Sequence, residues 1–274
     1  MNESWDQTVA VAQRAFDATV RSRALLAVAA GYAFVVLAIA WTTRGSGYLS
    51  LSLSLLTPLE VLVPVVAFAV GYRSILDDRV RGELAVFRTY PLSARSYVLG
   101  VCLGRLATVL LVVLVPLLIA GTTVVAFREE SISVLATHAT ADSPLVYLRT
   151  VVLTAVFASV ALAVAIAVSA IARTTRNAIA LGVGGVVVLV VGLDLGFVVG
   201  LAGGVVPPEA LSTLAALSPL SAYRGLVLET AVGPVAGDAI AGGIDPLAGF
   251  VGLLSWTAGA LAVAIRSVFR SAST

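Results

Sequence analysis

The sequence predicts an all-α protein that crosses a membrane six times. The stretches 24–43, 150–172 and 246–265 contain no charged residue, and about 20 apolar residues cross the ~30 Å hydrocarbon core of a bilayer as one helix. With 59% hydrophobic and 12% charged residues and a mean hydropathy of +1.05, the chain has too little polar surface for a soluble domain. The stretches are also too long and too uniformly apolar to be strands of a barrel.

Three further spans are interrupted, and we place them at 49–72, 96–127 and 177–206. Glu60 lies between two prolines in the second span, Pro116 lies within the third, and Asp194 lies within the fifth. Residues 1–274 are therefore expected to form one transmembrane domain, with a long outer segment at 207–245 before the last span.

The residues before the first span predict a separate amphipathic helix over 4–23. Ser4 and Gln7 have the spacing of a capping box. Apolar residues recur at three- and four-residue steps, namely Trp5, Val9, Ala12, Phe16 and Val20. Such a helix lies along the membrane surface; the alternative is an extension of the first span. A cleaved signal peptide is disfavoured, because the apolar run and the segment before it are both too long.

The placement of positive charge predicts the orientation. All 17 basic residues are arginines, of which 13 would lie on the side of the N-terminus and 4 on the other. Because loops rich in positive charge stay in the cytoplasm, both termini are predicted to be cytoplasmic. We therefore expect a multi-pass protein of the cytoplasmic membrane.

The connection between the second and third spans contains a polar helix, predicted over 77–90. Val80, Leu84 and Phe87 fall on one face between charges of both signs, and Pro91 stops the helix. An apolar ridge of this kind suits docking into a groove of a soluble partner. The alternative is a solvated loop whose arginines only set the topology.

The order of these features resembles the permeases of type 2 ATP-binding-cassette (ABC) exporters over essentially the whole chain. The resemblance rests on an N-terminal helix that ends in Arg21-Ser22-Arg23 and on a Gly82-Glu83 segment closed by Tyr90-Pro91-Leu92-Ser93-Ala94-Arg95. Where members of the family often carry Glu-Arg-Glu before the glycine, this chain has Asp78-Arg79-Val80-Arg81.

Within that family the chain is similar to the NosY-like permeases, which belong to the copper-processing system of nitrous oxide reductase. This likeness rests on the length, on Asp194-Leu195 and on the outer segment Ser218-Pro219-Leu220-Ser221-Ala222-Tyr223-Arg224.

The resemblance implies that the polar helix is a coupling helix that docks on an ATPase subunit. The residues concerned are Asp78, Arg79, Val80, Arg81, Gly82, Glu83, Leu84, Phe87, Tyr90 and Pro91. It also implies a permease that forms a homodimer and binds a separate ABC ATPase. A phosphate-binding P-loop needs a lysine, which this chain lacks. We therefore expect no enzyme activity and no cofactor on this chain, with ATP and Mg²⁺ on the partner, and no nucleic acid as a partner.

Four glycines repeat every fourth residue in the fifth span, at Gly192, Gly196, Gly200 and Gly204. A face without side chains lets a second backbone approach closely, so the stripe predicts a helix-packing surface. The resemblance favours a second copy of the chain as the partner, because the first and fifth spans build the subunit interface in that family. The alternative is a flexible glycine-rich helix.

Two carboxylates, Glu60 and Asp194, are expected at membrane depth, where an unpaired charge is costly. Both are candidates for the cargo pathway or a gate. The outer segment predicts short re-entrant or surface-lying helices, and the resemblance implies a NosD-like extracytoplasmic partner that would contact Pro219, Tyr223 and Arg224. A plain amphipathic connector is the alternative.

The residue inventory limits metal chemistry. Copper sites need clusters of Cys, Met and His, and the chain offers only Cys102, Met1 and His138. One copy cannot assemble such a site, so the cargo of a NosY-like permease is expected to be another component, such as a sulfur species. Two other readings stay open: a general multidrug or small-molecule ABC exporter, and an ion-driven secondary transporter, which would need inverted repeats or paired intramembrane charges.

Overall fold

The computed structural model describes residues 3–87, 89, 92–127, 143–204, 215–232 and 245–269. The helices are α1 (Glu3–Val20), α2 (Arg23–Thr42), α3 (Gly47–Gly71), α4 (Leu76–Val80), α5 (Glu83–Phe87), α6 (Ala94–Ala126), α7 (Pro144–Ile171), α8 (Thr175–Val187), α9 (Leu193–Ala202), α10 (Pro219–Val227) and α11 (Pro246–Val268). Two π-helical turns, Val188–Gly192 and Leu228–Val232, follow α8 and α10.

Six helical segments are long and apolar enough to cross a membrane. They are α2, α3 with α4, α6, α7, the continuous rod of α8 and α9, and α11. No strand occurs among the residues given above, so the predicted all-α architecture with six spans is confirmed. We call the end of the bundle that carries α1, α4 and α5 the arginine-rich end, and the end where α3 and α7 begin the opposite end.

Helix α7 is the centre of the bundle. In the most apolar stretch of α7, 67% of the residues are buried. The corresponding share is 17% in α2 and 6% in the fifth span. Helix α7 packs against α3, α6, α10 and α11. The second helix and the α8–α9 rod therefore lie at the periphery of this single chain.

Side-chain caps determine where several helices begin. In each case an oxygen accepts a hydrogen bond from a backbone N–H of the first turn, which the helix itself leaves without a partner. The capping residues are Ser22, Ser93, Ser143, Thr174, Ser218 and Asp245. Because Ser22 starts α2, the N-terminal helix α1 is a separate element and not an extension of the first span.

Helix α1 packs closely against α6 because α6 has glycines at the contact. A Cβ atom on Gly104 would lie 2.2 Å from the carbonyl oxygen of Ala12, and one on Gly100 would also clash with the backbone of α1. Trp5 and Val20, at the two ends of the predicted apolar stripe, are exposed. The stripe thus lies beside the face of α1 that packs on α6. Its contact with the membrane surface stays a prediction.

Candidate functional site

The polar connection at the arginine-rich end consists of two short helices and a tight turn. We call residues 76–87, which comprise α4, the turn at Gly82 and α5, the α4–α5 segment. Gly82 has a φ of +75°, a left-handed conformation that residues with side chains disfavour. Helix α4 therefore ends at Val80, and the segment is not the single helix expected over 77–90. Tyr90 and Pro91 lie outside the described residues.

The α4–α5 segment is tied to the end of the central helix α7. The hydroxyl oxygen of Ser169 accepts hydrogen bonds from the backbone N–H groups of Ile75, at 3.0 Å, and Leu76, at 3.1 Å. The Arg79 guanidinium donates to two carbonyl oxygens at the C-terminal end of α7, at 2.5 and 2.8 Å, which a helix terminus leaves free. Four hydrogen bonds therefore join the α4–α5 segment and its preceding residue to the end of α7.

A cluster of charged groups joins the α4–α5 segment to α1 and α6. The buried carboxylate of Asp78 accepts hydrogen bonds from the Tyr97 hydroxyl at 2.7 Å, from Arg81 at 2.9 Å and from Arg14 at 3.2 Å. Glu83 forms ion pairs with Arg14 and Arg81. The hydrogen bond to Asp78 raises the pKa of Arg81 above its ordinary value.

The surface that the α4–α5 segment presents differs from the expected apolar ridge. Val80 is 62% exposed, but Leu84 is buried and the Phe87 ring packs against that of Tyr97, with centroids 5.6 Å apart. The turn at Gly82 reorients α5 relative to α4, so Leu84 points into the core. Val86, which is 56% exposed, takes its place, and the exposed face consists of Val80, Arg81, Gly82 and Val86.

An ion pair with a buried carboxylate connects α3 to α10. Glu60 lies near the middle of α3 and is 3% exposed. Its two carboxylate oxygens accept hydrogen bonds from Arg224, one from Nε at 2.6 Å and one from Nη2. The sequence singled out both residues but did not pair them, because no periodicity links positions that are 164 apart. The burial of Glu60 among apolar residues was the signal that it needed a partner.

The second membrane-depth carboxylate, Asp194 of α9, holds the start of the same helix. One of its oxygens accepts hydrogen bonds from the hydroxyls of Ser218, at 2.6 Å, and Ser221, at 2.8 Å. Ser218 is also the residue that caps α10. Helix α10 is therefore held at its first turn by α9 and farther along by Glu60 of α3.

Helix α10 enters the bundle from the opposite end. The Tyr223 ring is fully buried and stacks on Phe157, with centroids 4.6 Å apart. Its hydroxyl shares a hydrogen bond with Thr154, roughly 15 Å along α7 from the first residue of that helix. Pro219 is also buried. Tyr223 and Pro219 therefore face the bundle, whereas Arg224 is bound by Glu60 but keeps 49% of its side chain exposed. The partner surface expected at these three positions stays a prediction.

The glycine stripe of the fifth span is not covered by the described part of the chain. A Cβ atom added to Gly196 would meet no atom within 4 Å, and one on Gly192 would meet only the preceding turn. Gly200 lies farther along α9, and Gly204 follows its end with a φ of +68°. Gly192 and Gly196 are thus left uncovered by the residues that the structure describes.

Comparison with known proteins identifies the family. A model of the ABC-2 family transporter protein matches residues 9–273. The chain belongs to the ABC-2 transporter family. This ABC-2 permease is also similar to the Pseudomonas aeruginosa protein that bears the name probable ABC transporter permease protein NosY. The two are 28% identical over 265 residues, which cover 89% of this chain and 91% of the relative.

Family membership confirms the prediction of a permease subunit of an ABC transporter. An ABC-2 permease is the membrane component of such a transporter, and an ATPase partner hydrolyses the ATP. Within the ranges that the structure describes, no group of three or more His, Cys, Asp or Glu side chains is placed to hold a metal ion.

Proposed function

We propose that the exposed face of the α4–α5 segment docks on the ATPase subunit and passes its movement to α7. The observation that carries this proposal is the division of the segment into two sides. Val80, Arg81 and Val86 point outward, while Ser169 and Arg79 connect the other side to the central helix. An apolar centre beside charged groups is the usual composition of a docking surface.

In the proposed orientation, the arginine-rich end faces the cytoplasm. The excess of arginine on this side, 13 residues against 4, supports it through the retention of positive loops in the cytoplasm. In this orientation the docking face would lie on the side where ATP is available, and the membrane in the proposal is the cytoplasmic membrane.

The functional unit in this proposal is a homodimer whose copies meet along the fifth span, with α2 beside it. The uncovered glycine stripe and the low burial of both helices support such an interface. Cargo would cross between the two copies. At the opposite end of each copy, α3 and α9 hold α10 in place. In this proposal, the two α10 helices would close the outer half of the path.

For the biological role, we propose the copper-processing branch to which NosY-like permeases belong. The 28% identity to NosY across nearly the whole chain supports it. Because one copy carries only Cys102, Met1 and His138 as soft ligands, the cargo in this proposal is not copper but another component, such as a sulfur species. A NosD-like extracytoplasmic partner also belongs to this proposal.

The docking proposal predicts that Val86→Asp uncouples the transporter. A buried, unpaired carboxylate at an apolar contact costs several kcal/mol, so the variant should lose at least ten-fold in ATPase binding while inserting normally. Binding is measured by purifying the tagged permease from its native cells and quantifying the vanadate-sensitive ATPase that accompanies it. Val86→Thr has nearly the same shape and is the matched control. Wild-type recovery of ATPase with Val86→Asp would contradict the docking face.

The copper-processing role predicts complementation. Expression of this chain together with its own ATPase in a Pseudomonas aeruginosa strain that lacks NosY should restore active nitrous oxide reductase, and the Val86→Asp variant should not. A restored drug resistance without nitrous oxide reductase activity would instead support the general exporter.

A further inference from the structure

A groove between α1 and the first turns of α6 lies outside the docking face and the proposed cargo path. It is at the arginine-rich end and has a volume of about 570 Å³, within the usual range of small-molecule sites. Its walls include Ser4, Trp5, Arg95, Ser96, Leu99 and Leu103.

Polar and apolar groups occupy different ends of this groove. Arg95, Leu99 and Leu103 follow one another at four-residue steps, so they lie on one face of α6. The two leucines are 41% and 42% exposed, and the second lies about 12 Å farther into the span than the arginine. Thr8 also lines the groove, but it is buried and its hydroxyl donates to the Ser4 carbonyl oxygen. A ligand in the groove would therefore meet a cation and hydroxyl groups at one end and mainly hydrocarbon along the rest.

Arg95 is a cation without a partner among the described residues. The neighbouring arginines Arg14, Arg79 and Arg81 are all engaged in hydrogen bonds or ion pairs, whereas Arg95 is exposed and forms neither with any described residue. It belongs to the first turn of α6, a helix of 33 residues, where the backbone dipoles also favour an anion. Trp5, which is 61% exposed, borders the groove as tryptophan commonly does at a membrane interface.

We propose that this groove binds one anionic phospholipid, with its phosphate at Arg95 and an acyl chain along Leu99 and Leu103. An arginine can donate two parallel hydrogen bonds to a phosphate. An acyl chain buries the two exposed leucines. A zwitterionic lipid brings a second cation next to Arg95, so an anionic headgroup such as that of phosphatidylglycerol is favoured.

The test counts lipids bound to the intact permease. The full chain in detergent is titrated with dioleoylphosphatidylglycerol, and in parallel with dioleoylphosphatidylcholine, and bound lipids are counted by native mass spectrometry. Arg95→Gln should weaken phosphatidylglycerol binding at least five-fold and leave phosphatidylcholine binding unchanged. Arg95→Lys, which keeps the charge, should retain most of the binding.

Arg176 provides the matched control. It occupies the same place in the first turn of α8 as Arg95 does in α6, and it is exposed, but it does not line the groove. Arg176→Gln should therefore bind phosphatidylglycerol like the wild type. The proposal is overturned if Arg95→Gln binds normally, if both variants lose binding equally, or if the wild type holds phosphatidylcholine as tightly. Displacement of the lipid by soluble glycerol phosphate would also overturn it, since the site would then recognise a free phosphate.

Discussion

The buried carboxylates of this permease position a helix. Glu60 accepts two hydrogen bonds from Arg224, and Asp194 accepts two from the start of α10. An unpaired carboxylate is costly at membrane depth, and here hydrogen bonds from side chains of α10 and from its capping residue Ser218 offset that cost. The two residues expected to line a pathway or gate thus act first on the position of α10, through which they would influence any gate.

We predict that Glu60→Gln destabilises the permease markedly. Breaking a buried ion pair costs about 3–5 kcal/mol, but the Arg224 side chain is 49% exposed, so water can partly solvate the released guanidinium and the loss should be about 1–3 kcal/mol. At roughly 2–4 °C per kcal/mol for a protein of this size, the midpoint of thermal unfolding in detergent should fall by several degrees.

A double-mutant cycle isolates the pair from other effects. Arg224→Gln leaves the more deeply buried carboxylate without a partner and should cost at least as much as Glu60→Gln. The double variant should lose less stability than the two single variants lose together, because neither charge is then left unpaired. Strictly additive losses would show that the two side chains do not interact in the folded protein.

At the scale of elements, the sequence predicted what depends on local composition. The apolar stretches are long enough to define six spans without any tertiary information. The helix break at Gly82 was missed because a glycine beside charged residues does not reveal a positive φ, and the burial of Leu84 follows from that break. The insertion of α10 was equally hidden, since its contacts to Glu60 and Thr154 join residues far apart in the sequence.

The connection between the α4–α5 segment and α7 should depend on one hydroxyl. We predict that Ser169→Ala lowers the thermal midpoint by at least about 4 °C, because two buried N–H groups lose their acceptor at about 1–3 kcal/mol each and each kcal/mol corresponds to roughly 2–4 °C. It should also reduce transport per ATP hydrolysed in proteoliposomes that contain the ATPase subunit, because the segment is then released from the central helix.

Ser159, on the same helix, is the control for this effect. Its hydroxyl only donates to the carbonyl oxygen of Ala155 one turn earlier, so Ser159→Ala removes a local bond and leaves no N–H group without an acceptor. Its unfolding midpoint and coupling ratio should equal those of the wild type. If Ser169→Ala behaved like this control, the hydroxyl of Ser169 would have no part in transmission.

At the scale of the whole molecule, burial is distributed unevenly among the six spans. The central α7 is covered on most sides, while only 6% of the most apolar stretch of the fifth span is buried. Packing between helices in a membrane relies on close backbone approach, which small residues allow. The uncovered glycines of α9 therefore mark the face through which a second copy would most closely pack.

We predict that Gly196→Leu prevents formation of the proposed dimer without unfolding the chain. A Cβ atom at Gly196 meets no atom within 4 Å in the described part of the protein, so the monomer fold has room for the leucine, whereas a second backbone packed on the stripe does not. Gly259 of α11 has the same free space on a different face, which makes Gly259→Leu the matched control. Light scattering of the detergent-purified proteins should give one copy for Gly196→Leu and two for the control.

The two variants also separate dimer formation from ATPase docking. Because the docking face lies on the α4–α5 segment and the glycine stripe lies on α9, a monomeric Gly196→Leu permease should still bind its ATPase, with one subunit per chain, but should lose transport. If Gly196→Leu and Gly259→Leu were both monomeric, the cause would be a general loss of packing at exposed glycines. If both were dimeric, the contact between subunits would lie on another face. Only the loss specific to Gly196 agrees with a path between two copies that is bordered by the fifth span.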